Sequence, residues 1–379
     1  MNSTNDRKKR MLILGAGNAQ IDLIKYCGKR NIETFGCSYN NTDPGISFLD
    51  HFTKIDIVDI DAVYAYARES QVDFIYSIGS DIAIPTICEV SRRLELPCFV
   101  DVSTAKLCCN KFQLRQTLEE TEYHIPFLGC YSYEETEGWK EYPVQIKPVD
   151  SQGQRGVGKA DNEKQVKACF EFAKQYSRSG QVILEKSIEG NEISVHAFLR
   201  NGTPLFVLLS DRETFAEFPG GIVKGHHVPS NYEATEVREK VLKMIQDVTK
   251  RLHILEGPVY FQIMINDGIP HLIEVSPRLD GCHMWRLIYL YCGVDLLDLT
   301  IQSLMGKEPE IPPMKISGAL KTKFFCEAPG RVFREDKFCP EKSLFHQYYY
   351  RDGETVHRIN GFMEKCGYQI CYEGVENCV

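Results

Sequence analysis

Residues Pro143–Lys159 read PVQIKPVDSQGQRGVGK. Val144–Ile146 is a short extended run that delivers Lys147 immediately before Pro148, and a polar loop follows that carries Gly153, Arg155, Gly156, Gly158 and Lys159. Glycines let a backbone turn its N–H groups toward an anion with no side chain in the way. The cations supply the charge that a polyphosphate needs. The stretch therefore predicts a flap that closes over nucleotide phosphates, with a solvated surface hairpin as the alternative. It is not a G-x-x-x-x-G-K-[ST] loop, because the spacing differs and Ala160 follows Lys159.

Upstream, Met11–Leu14 reads as a buried strand, followed by Gly15, Gly17 and an amphipathic segment, Ile21–Lys29. Gln20 stands where a dinucleotide-binding turn needs its third glycine. The second strand, Thr34–Cys37, ends in Ser38, Tyr39 and Asn40 with no acid for a ribose, so the fold is kept and a nicotinamide cofactor set aside. Helices at Asp61–Ser70 and Ile84–Leu94, with strands at Asp73–Ser77 and Cys98–Val100, continue the alternation. These units predict a doubly wound parallel-sheet domain over residues 11–102, after a disordered tail, 1–10. Ser77–Asp81 lies at the ligand side of such a sheet.

A helix from Ser103 or Thr104 to about Glu120 carries Lys111 in its middle, and strands follow at Pro126–Tyr131 and Val182–Glu185. Asn201-Gly202 turns a meander, and a helix runs over residues 235–252. Strands Val259–Ile265 and Ile269–Ser276 meet at Asn266-Asp267-Gly268. A three-residue loop there places Gln262 opposite Leu272 and puts Gln262, Glu274 and Ser276 on one face, with Arg278 just beyond. Such a face suits a hard cation carrying phosphates, or is the wet side of a sheet. Residues 103–312 form the expected middle domain, with a flap subdomain at about 124–192. Residues 313–379, with turns at Pro329-Gly330, Asp352-Gly353 and Gly361, form a small α+β element.

At 379 residues, with a net charge of −8 and only one basic run, Arg7–Arg10, the chain lacks the basic surface that non-specific nucleic-acid binding needs. No apolar run reaches membrane-spanning length or forms a signal-peptide core, and a cytoplasmic location is expected. The 15 cysteines, Cys378 among them, are scattered and show no C-x-x-C, so buried free thiols are expected.

Together, the glycine loop, two glutamates seven apart (Glu185 and Glu192) and Ile273-Glu-Val-Ser-Pro-Arg278 with Gly281 resemble the ATP-grasp superfamily over residues 11–325. The likeness extends to one half of the carbamoyl phosphate synthase large chain and to biotin carboxylase. It implies ATP with Mg²⁺ (or Mn²⁺), and Lys111 and Lys147 on the phosphates beneath a flap containing Gly153, Gly156 and Gly158. An adenine hinge at Glu185, Lys186 and Ile188 is implied, with Glu192 on the ribose and His226 near the phosphates. Gln262, Glu274 and Ser276 would be metal ligands, Ser276 replacing the usual asparagine. Arg278 would stand beside the reacting acyl group, with Lys147 also catalytic. Gly281, His283, Trp285 and Arg286 would recognise substrate, with Arg155 and Arg212 as weaker candidates. The implied activity is a carboxylate–amine ligase working through an acyl phosphate on small-molecule substrates, in a dimer formed through the first domain. Action on bicarbonate and a non-catalytic nucleotide-binding regulator are the alternatives.

Overall fold

An apolar run without a break is the pattern of a strand covered on both faces, and Met11–Leu14 lies inside the first sheet with all four side chains buried. The computed structural model describes residues 7–218, 221–338, 340, 342–359 and 362–374. Residues 1–6 of the expected tail, Gly361 and Cys378 lie outside the described residues. Arg7 is ordered against Asp73 at 3.0 Å. Strands β1 (Arg10–Leu14), β2 (Glu33–Ser38), β3 (His51–Lys54) and β4 (Phe74–Tyr76) form a parallel sheet in the order β3-β2-β1-β4. Helices α1 (Asn18–Lys29), α2 (Ile60–Glu69) and α3 (Ile84–Leu94) accompany it. Gln20 fills the glycine turn, its amide oxygen accepting from the Gly17 N–H at 2.9 Å.

Two expectations fail here. Cys98–Val100 forms no strand, because its apolar residues pack sideways: Val100 joins the middle domain's core and Phe99 fills the space beside Gly257. The helix expected to run to Glu120 is two, α4 (Val102–Cys108) and α5 (Lys111–Thr117). Asp101 caps the first, and the Asn110 side chain accepts from the Gln113 N–H at 3.0 Å to start the second. Lys111 therefore opens a helix.

The flap subdomain is an antiparallel sheet of β5 (Phe127–Cys130), β6 (Val144–Pro148), β7 (Gly158–Ala160) and β8 (Val182–Lys186), ordered β5-β8-β6-β7. Helix α6 (Glu163–Lys174) packs Val166, Phe170 and Ala173 against it. The large sheet holds β9 (Asn191–Arg200), β10 (Thr203–Thr214), β11 (Val223–Val228), β12 (Gly257–Asn266), β13 (Ile269–Ser276), β14 (Leu320–Glu327), β15 (Phe345–Tyr348) and β16 (Glu364–Tyr372). Its order is β13-β12-β9-β10-β11-β14-β16-β15. Helix α7 (Glu236–Arg251) buries Val241, Met244 and Ile245 against β9 and β12. Helices α8 (Met284–Cys292) and α9 (Leu296–Leu304) pack with Phe198, Phe206 and Leu208. The regular structure of the described residues in 313–374 is chiefly strand and extends the same sheet from β11, with one helical turn at Glu335–Lys337. Among the described residues no single helix is long and apolar enough to cross a membrane.

The β12–β13 register differs from the three-residue-loop reading. Asp267 and Gly268, both at positive φ, make a two-residue turn that pairs Asn266 with Ile269. A register shift after Gln262 then sets Gln262 directly opposite Glu274. The shared face survives, and its two chemically useful side chains are brought closer.

The first domain docks through the end of β4. The Gly79 N–H donates to Leu279 O at 3.1 Å, and the Leu279 N–H donates to the Tyr76 hydroxyl at 3.0 Å. Gly79 has φ +67°, and a Cβ there would lie 2.5 Å from the Gly281 Cα. Gly79→Ala is expected to cost about 1–3 kcal/mol through strain and backbone displacement. Urea unfolding measures it; an unchanged midpoint would show that the two backbones are free to separate.

Candidate functional site

A cleft of about 600 Å³ opens where the first domain, the flap, the β12–β13 hairpin and the C-terminal strands converge. Behind the lining, one buried carboxylate ties the flap sheet to its neighbours. Glu185, near the end of β8, accepts from Arg115 Nε (α5) at 2.7 Å and from Lys147 Nζ (β6) at 2.7 Å. Arg115 also donates to Leu272 O at 2.8 Å and to Ile273 O at 3.1 Å, which ties the flap sheet to β13. Burial would raise the Glu185 pKa above its ordinary 4.5, but the two cations overcome it and hold the group down at about 2. Lys111 Nζ donates to Ser151 O at 2.7 Å. Burial lowers the Lys111 pKa; Glu274 works against that shift and Lys147 adds to it.

Glycines shape the flap in different ways. Gly153, at φ +65°, stands in open space. Gly156, at φ +74°, admits the Tyr176 side chain, which would meet a Cβ at 2.9 Å. Gly158 lies within β7, where it pairs with Ile146. The tip reaches across the cleft: Gln154 Nε2 donates to Gly221 O at 2.7 Å. Gln152 and Arg155 line the cleft beside it.

The hairpin supplies the opposite side. The Gln262 amide nitrogen donates to Glu192, leaving the amide oxygen as the acceptor available to a cation. The Glu274 pKa is raised, chiefly by burial and then by Asp81, while Lys111 and Arg278 oppose the shift. Ser276 is already committed: its hydroxyl donates to Asp81 Oδ1 at 2.7 Å. Arg278 Nη2 and Nε reach the same oxygen at 2.7 and 2.8 Å. Asp81 thus comes from the first domain to fix both Ser276 and Arg278.

Other candidates fall elsewhere. Lys186 is exposed and pairs with Glu141 at 3.0 Å, while its N–H donates to Pro126 O at 2.9 Å. Ile188 is half-buried. Glu192 is occupied by Gln262 and by Arg212 Nε at 3.1 Å. His226 is fully buried in β11, opposite Arg212, and stays outside the cleft lining. Gly281 and His283 line the cleft. Trp285 and Arg286 do not; they turn to Asp22 of α1, at 3.2 and 2.9 Å, and His283 Nδ1 meets the same carboxylate at 2.7 Å. The segment after the motif is thus largely a joint to the first domain.

Sequence reasoning missed Tyr260, Asp280 and Lys365, all in the cleft lining. Arg212 was undervalued. Its place beneath Tyr260, whose hydroxyl accepts from Nη1 at 2.7 Å, depends on pairing between distant strands. Asp280 lies inside a stretch already singled out, two residues beyond Arg278, and was legible.

Residues 108–282 match the ATP-grasp domain family. The chain is 24% identical to phosphoribosylamine–glycine ligase of Methanobrevibacter smithii over 298 residues, 71% of this chain and 67% of that protein. It is 22% identical over 351 residues to the carbamoyl phosphate synthase large chain of Clostridium perfringens, covering 81% of this chain and 31% of that one. The crystal structure of an L-amino acid ligase from Bacillus licheniformis superposes with a TM-score of 0.78 at 18% identity, over 97% of this chain and 93% of the other, a likeness of fold.

Glu185 gives a pH test. Its folded-state pKa is depressed, so its contribution is full above about pH 4.5 and is lost as pH falls toward about 2. Arg115→Met is expected to destabilise the fold by about 3–5 kcal/mol at neutral pH, since it leaves a buried charge partly unpaired. It should also flatten the loss of stability between pH 4.5 and 2. Urea midpoints across that range check both, and a neutral-pH loss below about 1 kcal/mol would remove the ion pair from this role.

Proposed function

We propose, from the ATP-grasp domain that residues 108–282 of this chain constitute, that the protein is an ADP-forming ligase. It phosphorylates a carboxylate with ATP and couples the acyl phosphate to an amine. The observation that carries this reading is the Gln262–Glu274 pair, set across one hairpin in a cleft that Gly153 of the flap also lines, with the half-buried Lys111 close enough to act on Glu274 and Lys147 close to Lys111.

The donor set fits a divalent cation. Glu274 is a half-buried carboxylate with a raised pKa, and Gln262, its amide nitrogen on Glu192, stands directly opposite it on the next strand. Two oxygen donors of this kind suit Mg²⁺, which keeps its remaining positions for water and phosphate. Because Ser276 is bonded to Asp81, the residues provide for one ion more readily than for two. When bound, Mg²⁺ neutralises phosphate charge during transfer.

The protein's own groups do the rest. Lys147 is held by Glu185, and Lys111 by the Ser151 carbonyl, so both ammonium groups are fixed before the nucleotide arrives. The flap N–H groups add donors and exclude the water that would hydrolyse an acyl phosphate. The Ile188 main chain is the candidate adenine contact and Glu192 the ribose contact, after release from Gln262. Arg278, oriented by Asp81, stands ready to neutralise the carboxylate and the charge that develops on its oxygen. A carboxylate and an amine do not condense at neutral pH, whereas phosphate leaves readily from an acyl phosphate.

Two substitutions test the assignment. Glu274→Gln is expected to reduce ADP release at least about 100-fold with the circular-dichroism spectrum unchanged; near-normal turnover would remove Glu274 from the cation site. Lys147→Ala is expected to raise the KM for ATP more than that for the carboxylate, and an equal rise in both would return Lys147 to a structural role. Both are read from ADP release over a panel of carboxylates and amines. Tight ATP binding without turnover on any of them would overturn the ligase reading.

A further inference from the structure

Beyond Arg278 the cleft has a second charged corner. Asp280 lines it with a largely buried side chain, and its Oδ2 has no hydrogen-bond partner among the described residues. The Oδ1 atom is 4.0 Å from Arg278 Nη1, too far for a hydrogen bond. Two buried imidazoles complete the corner. Cross-strand partners share a face of the sheet. His226 is paired with Arg212, and His196 with Tyr260, so both histidines stand on the sheet face that carries these two lining residues, buried outside the lining itself. Both His226 ring nitrogens and His196 Nε2 lack partners among the described residues. Burial keeps both rings neutral, pushing His196 down to about 4 and His226 well below its ordinary value, with Asp280 opposing the shift. Asp280 remains anionic: burial raises its pKa, but the pull of the neighbouring cations, Arg278 and Arg212 among them, outweighs that.

An unpaired carboxylate beside unpartnered neutral imidazoles is costly to bury. The arrangement offers an anion on the cleft lining with a His226 ring nitrogen within 4.8 Å of it. A primary ammonium carries one positive charge and three N–H donors, and so satisfies both the charge and the acceptors. We propose that Asp280, with the buried His226 behind it, forms a subsite for a substrate's primary ammonium group, next to the acyl-activating Arg278.

A transition metal is the competing occupant, because ligand atoms of His226, Asp280 and Cys282 lie within 4.8 Å of one another. Cys282 argues against it. Burial raises its pKa, so it stays a thiol, whereas the thiolate is the form that ligates a metal.

The subsite rests on the ligase reading for why a substrate enters the cleft, but its test needs no turnover. Two sources of ammonium exist: an amino group on the carboxylate substrate, or the amine substrate before it loses its proton. Ligand-observed NMR on the full chain with ADP and Mg²⁺ measures Kd for three matched pairs: glycine against acetate, β-alanine against propionate, and 4-aminobutyrate against butyrate. Ethylamine against ethanol forms the second arm. The ammonium member of at least one pair is expected to bind roughly tenfold tighter than its counterpart. A preference in the amino-acid pairs assigns the ammonium to the carboxylate substrate; one in the ethylamine pair assigns it to the amine. Asp280→Asn should abolish that preference. Equal affinities throughout for the wild-type chain would overturn the proposal even if Asp280→Asn fails to fold. So would a preference that survives in Asp280→Asn, or stoichiometric Co²⁺ binding whose thiolate absorption band disappears in Cys282→Ser. Failure of the ligase reading shows separately, as ATP binding without ADP release.

Discussion

One buried carboxylate holds three separate pieces of this protein in register. Glu185 sits in the flap sheet, Arg115 on the short helix α5 and Lys147 on the strand leading into the glycine loop. Arg115 then spends its remaining donors on carbonyls of β13, the strand that carries Glu274. Removing two charges from water is unfavourable, and the exchange is tolerated because each nitrogen and oxygen finds a partner at hydrogen-bonding distance. The flap can therefore move at its glycines while the root of the loop stays fixed to the strand opposite.

Much of this was legible from sequence. Unbroken apolar strands, a two-residue turn signal and a glycine loop after a lysine strand each have a local physical cause, and local causes survive folding. The failures share a cause too. The middle of the helix expected after Ser103 was lost to Asn110, a capping residue whose side chain competes for the backbone. The partner of Gln262 differs from the expected one because Asp267-Gly268 closes a two-residue turn and the strand then bulges after Gln262, and a bulge leaves no mark on composition. Cys98–Val100 looked like a strand because apolar residues serve equally well to pack against a neighbouring domain.

The candidate site was legible where side chains act alone and illegible where they act in pairs. Glu274 and Gln262 could be placed by alternation along a strand. That Ser276 would be committed to Asp81, Glu192 to Arg212, and Trp285 to Asp22 depends on contacts between residues as much as 263 positions apart. Asp81 illustrates the point: its stretch was noticed for its position at a sheet edge, yet its partners are two motif residues nearly 200 positions away.

The first domain is more than a platform for the second. Asp22, Tyr76, Gly79 and Asp81 all reach across the boundary, and their partners lie in the eleven-residue span from Ser276 to Arg286. A chimaera that takes its first domain from a relative and joins it near residue 102 would look seamless along the chain and be mismatched in space. The recombination seam that preserves function has to be drawn through the fold, keeping the end of β4 and the face of α1 together with the motif they support. The same four contacts also mean that these two segments of sequence are constrained to drift in step.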